Sequence, residues 1–255
     1  MNKENSKTEV YEDLINRVAN AILKSNRIVA LTGAGISVAS GIPPFRGKGG
    51  LWSKYDPDEY AHILAFKRNP EKVWIMLKEM IDTILPAKPN AAHIALMELE
   101  VMGHLEGIIT GNVDSLHQAA GSKNVVELHG NNRNLICMDC GNIYDIKIYH
   151  KKVPPKCECG NPLRPDVVFF GEQIPPEALI KSFELAENCD MMMVIGTSAI
   201  VSPMSNMPIA AKEHGANVIE INTEKNNMSG FIPDWTIKGK AEKILPKIIS
   251  NLKNP

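Results

Sequence analysis

A glycine-rich turn directly after a β-branched run limits the folds open to this chain more than any other feature. The run Arg27–Thr32 (RIVALT) ends at Gly33 and Gly35, and such a glycine pair typically joins a parallel strand to a helix at a dinucleotide site. The third glycine of the dehydrogenase fingerprint is missing, because Val38 stands in its place and the next glycine is Gly41. The turn therefore predicts either an altered redox site or a loop that holds a dinucleotide for other chemistry.

Helix-like and strand-like patterns alternate along the chain. Val10, Leu14, Val18 and Ile22 recur at every fourth position and predict a first helix before RIVALT. Later apolar runs predict buried parallel strands, namely EGIITGN, NVVELHG, DVVFFGE, MMMVIGTS and NVIEIN. We therefore predict an α/β fold with a Rossmann-like parallel sheet and helices on both faces, in which the polar strand ends converge on one crevice.

Two stretches break this alternation. Residues 48–88 resemble helices joined by loops, and residues 130–163 are rich in Cys, Pro, Asn and Lys with little periodicity. Both are interpreted as insertions, one helical and one zinc-binding, that form a smaller lobe. The Rossmann-like domain would then comprise residues 1–47, 89–129 and 164–255.

Four of the five cysteines form the pattern C-x2-C-x16-C-x-C, at Cys137, Cys140, Cys157 and Cys159. Four thiolates at such spacings predict one tetrahedral, structural zinc site with no open position for catalysis. Cys189 stands apart and is interpreted as a small buried hydrophobic residue. A metal site instead of a disulfide framework favours a reducing compartment, so we expect a cytoplasmic location.

Composition excludes two classes of partner. The chain has 255 residues, 44% of them hydrophobic, and a net charge of -1, so it can bury a sizeable core but lacks the clustered positive charge that binds nucleic acid. No direct nucleic-acid binding is expected. The polar start and the short apolar runs also predict no targeting signal and no membrane span, which needs about 20 apolar residues.

Several motifs occur together in a specific order. They are GAGISVASGIPPFRG, TGNVDSLHQAAGS, VVELHGNN, the four cysteines, RPDVVFFGE, GTS at residues 196–198, and IN at residues 221–222. Each is weak alone, but the ordered set resembles the sirtuins, which are NAD-dependent protein lysine deacylases. The resemblance covers nearly the whole chain.

The resemblance implies an NAD site and a set of catalytic residues. The implied NAD-binding residues are Gly33, Ala34, Gly35, Ser37, Phe45, Arg46, Val113, Gly196, Thr197, Ser198, Asn222, Lys240 and Ala241. Asn112 and Asp114 match the family's nicotinamide pocket, and His129 matches its general base. The two residues at 112 and 114 could also simply cap the helix that begins near Ser115.

The implied reaction consumes NAD as a co-substrate. The carbonyl oxygen of an acyl-lysine in a protein substrate attacks the ribose C1′ and nicotinamide leaves. His129 then takes a proton from the ribose hydroxyls, and water completes the formation of free lysine and O-acyl-ADP-ribose. An imidazole with an ordinary pKa of about 6.5 suits a general base at neutral pH.

The implied substrate-binding residues are Leu77, Met80, Val168, Phe169, Gly171 and Glu172. Leu77 and Met80 stand three residues apart on a predicted helix, where family members that remove succinyl groups have Tyr and Arg. A carboxylate would find no cation there, so we expect removal of acetyl or longer neutral acyl groups. Alternatively, both residues are ordinary core.

Two further residues depart from the family pattern. Gly111 replaces the usual Gln, which removes an amide from the NAD site, and Pro44 replaces the usual Asp or Thr and stiffens a loop that has to move. Two alternatives to a deacylase stay open, and Gly111 favours the first. One is an enzyme that passes ADP-ribose to a protein or to water, and the other is a non-enzymatic module that senses NAD.

Overall fold

The computed structural model describes residues 3–47, 49–150, 153–224 and 233–253, and it describes side chains from Tyr11 onward within these ranges. Its strands are β1 (Ile28–Thr32), β2 (Leu105–Thr110), β3 (Val125–Glu127), β4 (Gly130–Cys137), β5 (Ile143–Asp145), β6 (Leu163–Val167), β7 (Met191–Ile195), β8 (Asn217–Asn222) and β9 (Trp235–Lys238). Its α-helices are α1 (Lys3–Lys24), α2 (Pro57–Tyr60), α3 (Ile63–Arg68), α4 (Pro70–Ile84), α5 (Ala91–Val101), α6 (Leu116–Ala120), α7 (Pro176–Asn188), α8 (Met207–Glu213) and α9 (Ala241–Lys253).

Six strands form one parallel sheet in the order β3-β2-β1-β7-β8-β9. This is the strand order of a doubly wound dinucleotide-binding fold. Strands β1 and β7 are buried along their whole length, as their unbroken apolar runs predict. The sheet confirms the predicted α/β class with a Rossmann-like architecture.

Helices cover both faces of the sheet. On one face, Ile22 of α1, Leu96 of α5 and Ile248 of α9 share a core cluster with the sheet residue Met193. On the other face, Leu185 of α7 and Met207 of α8 belong to a second cluster. Val18 and Ile22 are fully buried, as the four-residue spacing predicts, whereas the side chain of Val10 lies outside the described part of the chain.

The remaining three strands form a small antiparallel sheet in the order β5-β4-β6. It packs against α4, where Trp74 is fully buried and donates a hydrogen bond from Nε1 to the backbone oxygen of Leu163 at 2.8 Å. Asn69 caps the N-terminus of helix α4, because its side chain accepts a hydrogen bond from the backbone N–H of Lys72. Pro70 is the first residue of the helix. This sheet and helix share a third core cluster.

One expectation about the small sheet is wrong. The run DVVFFGE was predicted to form a buried parallel strand, but strand β6 ends within it at Val167 and pairs antiparallel with β4. The segment from 130 to 163, whose sequence has little periodicity, contains β4 and β5. An apolar run shows that a strand is buried but cannot show which neighbour it pairs with. The division of the chain into the two lobes at the stated boundaries stays a prediction.

Among the described residues, no helix combines the length and the apolar character needed to cross a bilayer.

Candidate active site

The carboxyl ends of the parallel strands meet at one edge of the large sheet. Strand β1 ends at Thr32, β2 at Thr110, β7 at Ile195 and β8 at Asn222. The chain runs from β1 outward to β2 and β3 and then crosses to β7 on the other side of β1. This crossover is the topological switch point at which doubly wound sheets bind ligands.

The glycine turn after β1 lies directly against the turn after β7. The backbone N–H of Gly35 donates to the carbonyl oxygen of Gly196 at 2.7 Å. A β-carbon at position 35 would lie 2.6 Å from that oxygen, and one at position 33 would lie 2.6 Å from Cβ of Thr197. Only glycine fits this approach at either position. The helix that follows, Ala34–Ser40, is a 3₁₀-helix that ends at Gly41.

Asn112, Ser37 and Asp114 form one hydrogen-bonded group behind this turn. Asn112 Nδ2 donates to the carbonyl oxygen of Gly33 at 3.1 Å and to Ser37 Oγ at 3.3 Å. Ser37 Oγ in turn donates to Asp114 Oδ2 at 2.7 Å. The group therefore connects the β1 turn to the loop after β2.

Asp114 also caps the following helix. Its Oδ1 accepts a hydrogen bond from the backbone N–H of Leu116 at 2.9 Å, and Ser115 between them adopts a left-handed conformation with φ of 58°. Burial raises the pKa of the Asp114 carboxyl, although the hydrogen bonds from Leu116 and Ser37 oppose the shift. Asp114 therefore caps α6 and also belongs to the predicted nicotinamide pocket.

His129 follows β3 and faces the loop after β2. Its Nδ1 lies 3.0 Å from the carbonyl oxygen of Gly111. A carbonyl can only accept, so Nδ1 carries the proton and Nε2 is left with a lone pair in the neutral ring. Burial lowers the pKa of His129, and the hydrogen bond to Gly111 partly offsets that shift.

A second group of the predicted NAD-binding residues clusters at the ends of β7 and β8. Asn222 Nδ2 donates to the carbonyl oxygen of Thr197 at 3.0 Å. The Asn222 carbonyl accepts from the backbone N–H of Gly239 at 2.8 Å, which places the start of α9 beside them. Lys240 is exposed there, Ala241 is buried as the first residue of α9, and Ser198 is half-buried.

The arm that follows the 3₁₀-helix is fixed by aromatic contacts. The rings of Phe45 and Trp52 stack with centroids 5.4 Å apart, and Trp52 lies 6.0 Å from Phe170. Leu51 donates its backbone N–H to the carbonyl oxygen of Pro44 at 2.9 Å. Arg46 is exposed at the tip of the arm.

One cavity joins three parts of the chain. Ala34, Ser37 and Phe45 line it from the first loop, Asn112, Val113 and Asp114 from the loop after β2, and Glu79, Met80, Thr83 and Ile84 from α4. Leu77 does not line it, because this side chain is fully buried in the core beside Trp74. The structure thus places Met80 next to the predicted nicotinamide pocket and places Leu77 in the core of the small lobe.

Hydrogen bonds and one close packing contact stabilise the predicted substrate loop, residues 168–172. The backbone N–H of Val168 donates to the carbonyl oxygen of His129 at 2.9 Å. Phe169 is buried and donates its backbone N–H to Glu172 Oε2 at 2.9 Å. Gly171 has φ of +82°, and a β-carbon there would lie 2.7 Å from the ring of His62, so the loop requires glycine at this point.

The four predicted cysteine ligands come together between β4 and β6. Their Sγ atoms all lie within 4.8 Å of one another, with Cys137 and Cys159 3.5 Å apart and Cys140 and Cys157 3.4 Å apart. A tetrahedral site with Zn–S bonds of about 2.3 Å has sulfur atoms about 3.8 Å apart, so the set fits one zinc ion. Hydrogen bonds from the Tyr144 hydroxyl and the Cys159 backbone lower the pKa of Cys157 to about 6, which favours the thiolate ligand.

Two further histidines, His93 and His117, are buried beside the site. His93 Nε2 lies 3.5 Å from Ser37 Oγ, and His117 Nε2 lies 2.9 Å from Thr32 Oγ1. Burial lowers the pKa of His93 to about 4 and that of His117 to about 3, so both rings are neutral at pH 7. His93 occupies the third position of α5 and caps it with Asn90, and the Asn-x-x-His spacing was the available sequence signal.

Known proteins are similar in sequence to this chain over most of their length. The NAD-dependent protein deacylase of Pyrococcus abyssi is 45% identical over 251 residues, which cover 94% of this chain and 98% of the relative. NAD-dependent protein deacylase 2 of Archaeoglobus fulgidus is 46% identical and covers 95% of this chain and 97% of its own.

Solved structures agree with the sequence comparison. A Sir2 homolog–NAD complex superimposes with a TM-score of 0.86 at 42% identity and covers 93% of each chain. A Sir2 structure bound to a myristoylated histone peptide gives a TM-score of 0.81 at 40% identity and covers 95% of this chain and 98% of its own. The Sir2 family model matches residues 33–203, and the chain belongs to the Sir2 family.

Proposed function

We propose that this protein removes acyl groups from protein lysines and consumes NAD in doing so, giving nicotinamide, O-acyl-ADP-ribose and free lysine. One observation supports this function above all. The Gly33 turn, the Asn112–Asp114 loop and His129 lie at the same switch point, and the Nε2 atom of His129 is available to accept a proton. The close relatives named as NAD-dependent protein deacylases support the same activity.

The dinucleotide lies along the strand ends in this proposal. The backbone of Gly33, Ala34 and Gly35 lies beside the pyrophosphate, at the turn between β1 and the 3₁₀-helix. The adenosine half lies beside the group formed by Gly196, Thr197, Ser198, Asn222, Lys240 and Ala241. Phe45 and Arg46 close over the nicotinamide ribose from the arm.

The nicotinamide ring lies in the cavity lined by Ser37, Asn112, Val113 and Asp114. Asn112 is 4% exposed, and its amide is oriented by Gly33 and Ser37. A fixed, buried amide can bind nicotinamide in one orientation without reorganising during the reaction. We assign Asn112 and Asp114 to the step that breaks the bond to nicotinamide.

His129 acts after that bond is broken. Its neutral ring accepts a proton at Nε2 from a ribose hydroxyl, and the Gly111 carbonyl stabilises the imidazolium that results. Val168, Phe169, Gly171 and Glu172 form the loop along which an acyl-lysine protein substrate binds, and Met80 lines the acyl end of the cavity. Cys137, Cys140, Cys157 and Cys159 would hold a zinc ion that stabilises the small sheet, and four thiolate ligands leave it no open position for chemistry.

An NAD consumption assay with a panel of acyl-lysine peptides tests this function. Release of nicotinamide should require an acylated peptide, and acetyl and longer neutral acyl groups should all serve. Release without peptide would instead support an ADP-ribosyltransferase or NAD hydrolase, which Gly111 favours because the family's amide is missing there. NAD binding without turnover would support a sensing module. A cytoplasmic location remains a prediction from cysteine usage.

A further inference from the structure

Glu79 lines the cavity one residue before Met80, at the point where α4 faces the predicted nicotinamide pocket. Its side chain is 44% exposed, so it lies at the mouth of the cavity. The Oε2 atom accepts a hydrogen bond from Tyr55 Oη at 2.6 Å and another from Lys54 Nζ. Glu79 is therefore a charged residue at the entrance, already paired with a cation.

The charges around the cavity are unbalanced. Among the described residues that line it, the ionisable ones are Glu79 and Asp114, both of them acidic, and no Lys, Arg or His is present. The hydrogen bonds from Lys54 and Tyr55 lower the pKa of Glu79, so this carboxyl is ionised at neutral pH. An acyl group that ended in a carboxylate would therefore find no cationic side chain among the described residues that line the cavity.

Lys54 is the cation that such an acyl group would need. It is held beside the cavity by Glu79, and it extends over the ring of Tyr55 at 5.1 Å. While Glu79 is ionised, Lys54 is already paired with a carboxylate of the protein itself. Forming this pair does not carry the entropy cost of bringing in a second molecule. An entering carboxylate would have to displace that partner and lose water as well.

We propose that Glu79 is a specificity-determining residue that keeps acidic acyl groups out of the cavity by holding Lys54 in an ion pair. This inference rests on the proposed deacylase function and deepens it. It assigns the neutral-acyl preference to a paired cation, in addition to the apolar Met80. It also implies that acidic acyl groups become substrates once Lys54 is released.

The test compares kcat/KM for matched acetyl-lysine and succinyl-lysine peptides in the wild type and in Glu79→Gln. Gln keeps the size of the side chain but removes the charge, so Lys54 becomes free to pair with the succinyl carboxylate. We expect the succinyl-to-acetyl ratio to rise about two- to fivefold, because Lys54 and Glu79 are both partly exposed and pairs between exposed charges are weak. An unchanged ratio would overturn the proposal.

Asp82→Asn is the matched control. Asp82 lies on the same helix, is 41% exposed, and likewise accepts from a lysine, Lys78, and a tyrosine hydroxyl, that of Tyr149. It does not line the cavity. Asp82→Asn changes the net charge of the protein by the same amount as Glu79→Gln. If it raised the succinyl-to-acetyl ratio equally, the effect would come from overall charge, and the role of Glu79 would be rejected.

The double variant Lys54→Met/Glu79→Gln tests the identity of the cation. It should lose the gain in succinyl removal that Glu79→Gln shows, and a double variant that kept the full gain would contradict the inference. Acetyl-lysine activity of the wild type distinguishes a failure of the role proposed for Glu79 from a failure of the proposed deacylase function. If the wild type removes acetyl groups with NAD but the ratio does not move, only the role of Glu79 fails, whereas no NAD-dependent turnover of any peptide would reject the proposed function itself.

Discussion

The Nδ1 atom of His129 lies 3.0 Å from the backbone carbonyl oxygen of Gly111. This contact fixes the tautomer of the proposed base. Because the acceptor is a main-chain atom, the contact does not depend on which side chain stands at position 111. The same glycine brings Met204 close, since a β-carbon at 111 would lie 3.0 Å from Met204 Sδ and 3.4 Å from the His129 ring. Position 111 is therefore crowded by Met204 and by the proposed base itself.

The first prediction concerns pH. Burial lowers the pKa of His129 below the ordinary imidazole value of about 6.5, and the base works in its neutral form. Activity should therefore be fully present at pH 7 and should fall only as the pH drops below that ordinary value. A profile of kcat/KM for an acetyl peptide measures the acid limb, and a limb at or above about 6.5 would contradict the argument.

The second prediction separates two chemical steps. His129→Ala should abolish deacylation more completely than exchange of labelled nicotinamide with NAD, because the base acts after the first bond is broken. Loss of a general base typically costs a factor of about 100 to 10,000 in rate. Asn112→Ala should instead impair the exchange itself, since this amide is buried in the nicotinamide pocket. Equal losses of exchange and deacylation in both variants would refute the division.

The third prediction concerns Gly111. Gly111→Gln alone should not improve NAD binding, because Met204 occupies the space into which the side chain must extend. The double variant Gly111→Gln/Met204→Ala should have a KM for NAD about 2- to 10-fold lower than Met204→Ala, the value of one hydrogen bond. Steady-state kinetics at saturating peptide measure this. A single variant that bound NAD better than the wild type would show that Met204 is no obstacle.

The fourth prediction is that zinc is structural. Cys140→Ala removes one of four thiols that lie within 4.8 Å of one another, so the small sheet should lose its metal and unfold more readily, with activity falling in parallel. Thermal unfolding with and without a chelator, together with metal content, measures the effect. A variant that stayed folded and bound NAD normally, yet lost only the chemical step, would argue for a catalytic metal.

Local patterns predicted the parts of the site that depend on nearby residues. The Gly33 and Gly35 turn follows a buried strand, and its glycines prove necessary because a β-carbon at either position would collide with the turn after β7. The four cysteines were found from spacing alone and lie together as expected. In both cases the chemistry of the residue type limits where it can be placed.

Contacts between distant segments could not be predicted in this way. The ion pair of Lys54 and Glu79 joins residues 25 positions apart, one in the turn before α2 and one in α4, and Ser37 and His93 come from different elements. Leu77 and Met80 share a helix face in sequence, yet only Met80 lines the cavity. Helical spacing gives the face of a helix, whereas the packing of the small lobe decides which part of that face meets the pocket.

The last prediction assigns a positioning role to Glu172. Arg164 Nη1 and Nη2 donate to its two carboxylate oxygens at 2.9 and 3.0 Å, and Nη1 also donates to the Val167 carbonyl at 2.8 Å. The guanidinium lies 5.0 Å from the centre of the Phe169 ring. With Arg164 and the Phe169 N–H as partners, the carboxylate of Glu172 fixes the shape of the substrate loop and does not need to touch the peptide.

Glu172→Gln should therefore raise the KM for the acyl peptide about tenfold while the KM for NAD changes little, because charge-assisted bidentate pairs contribute about 1.5 to 3 kcal/mol. Asp234→Asn is the matched control, since Asp234 also pairs with a lysine, Lys212, and accepts a backbone N–H, that of Val218, far along the chain from this loop. The control should lower the melting temperature without changing the peptide KM. If Glu172→Gln only lowered the melting temperature, or raised both KM values equally, the carboxylate would be a stabilising residue without a specific effect on substrate binding.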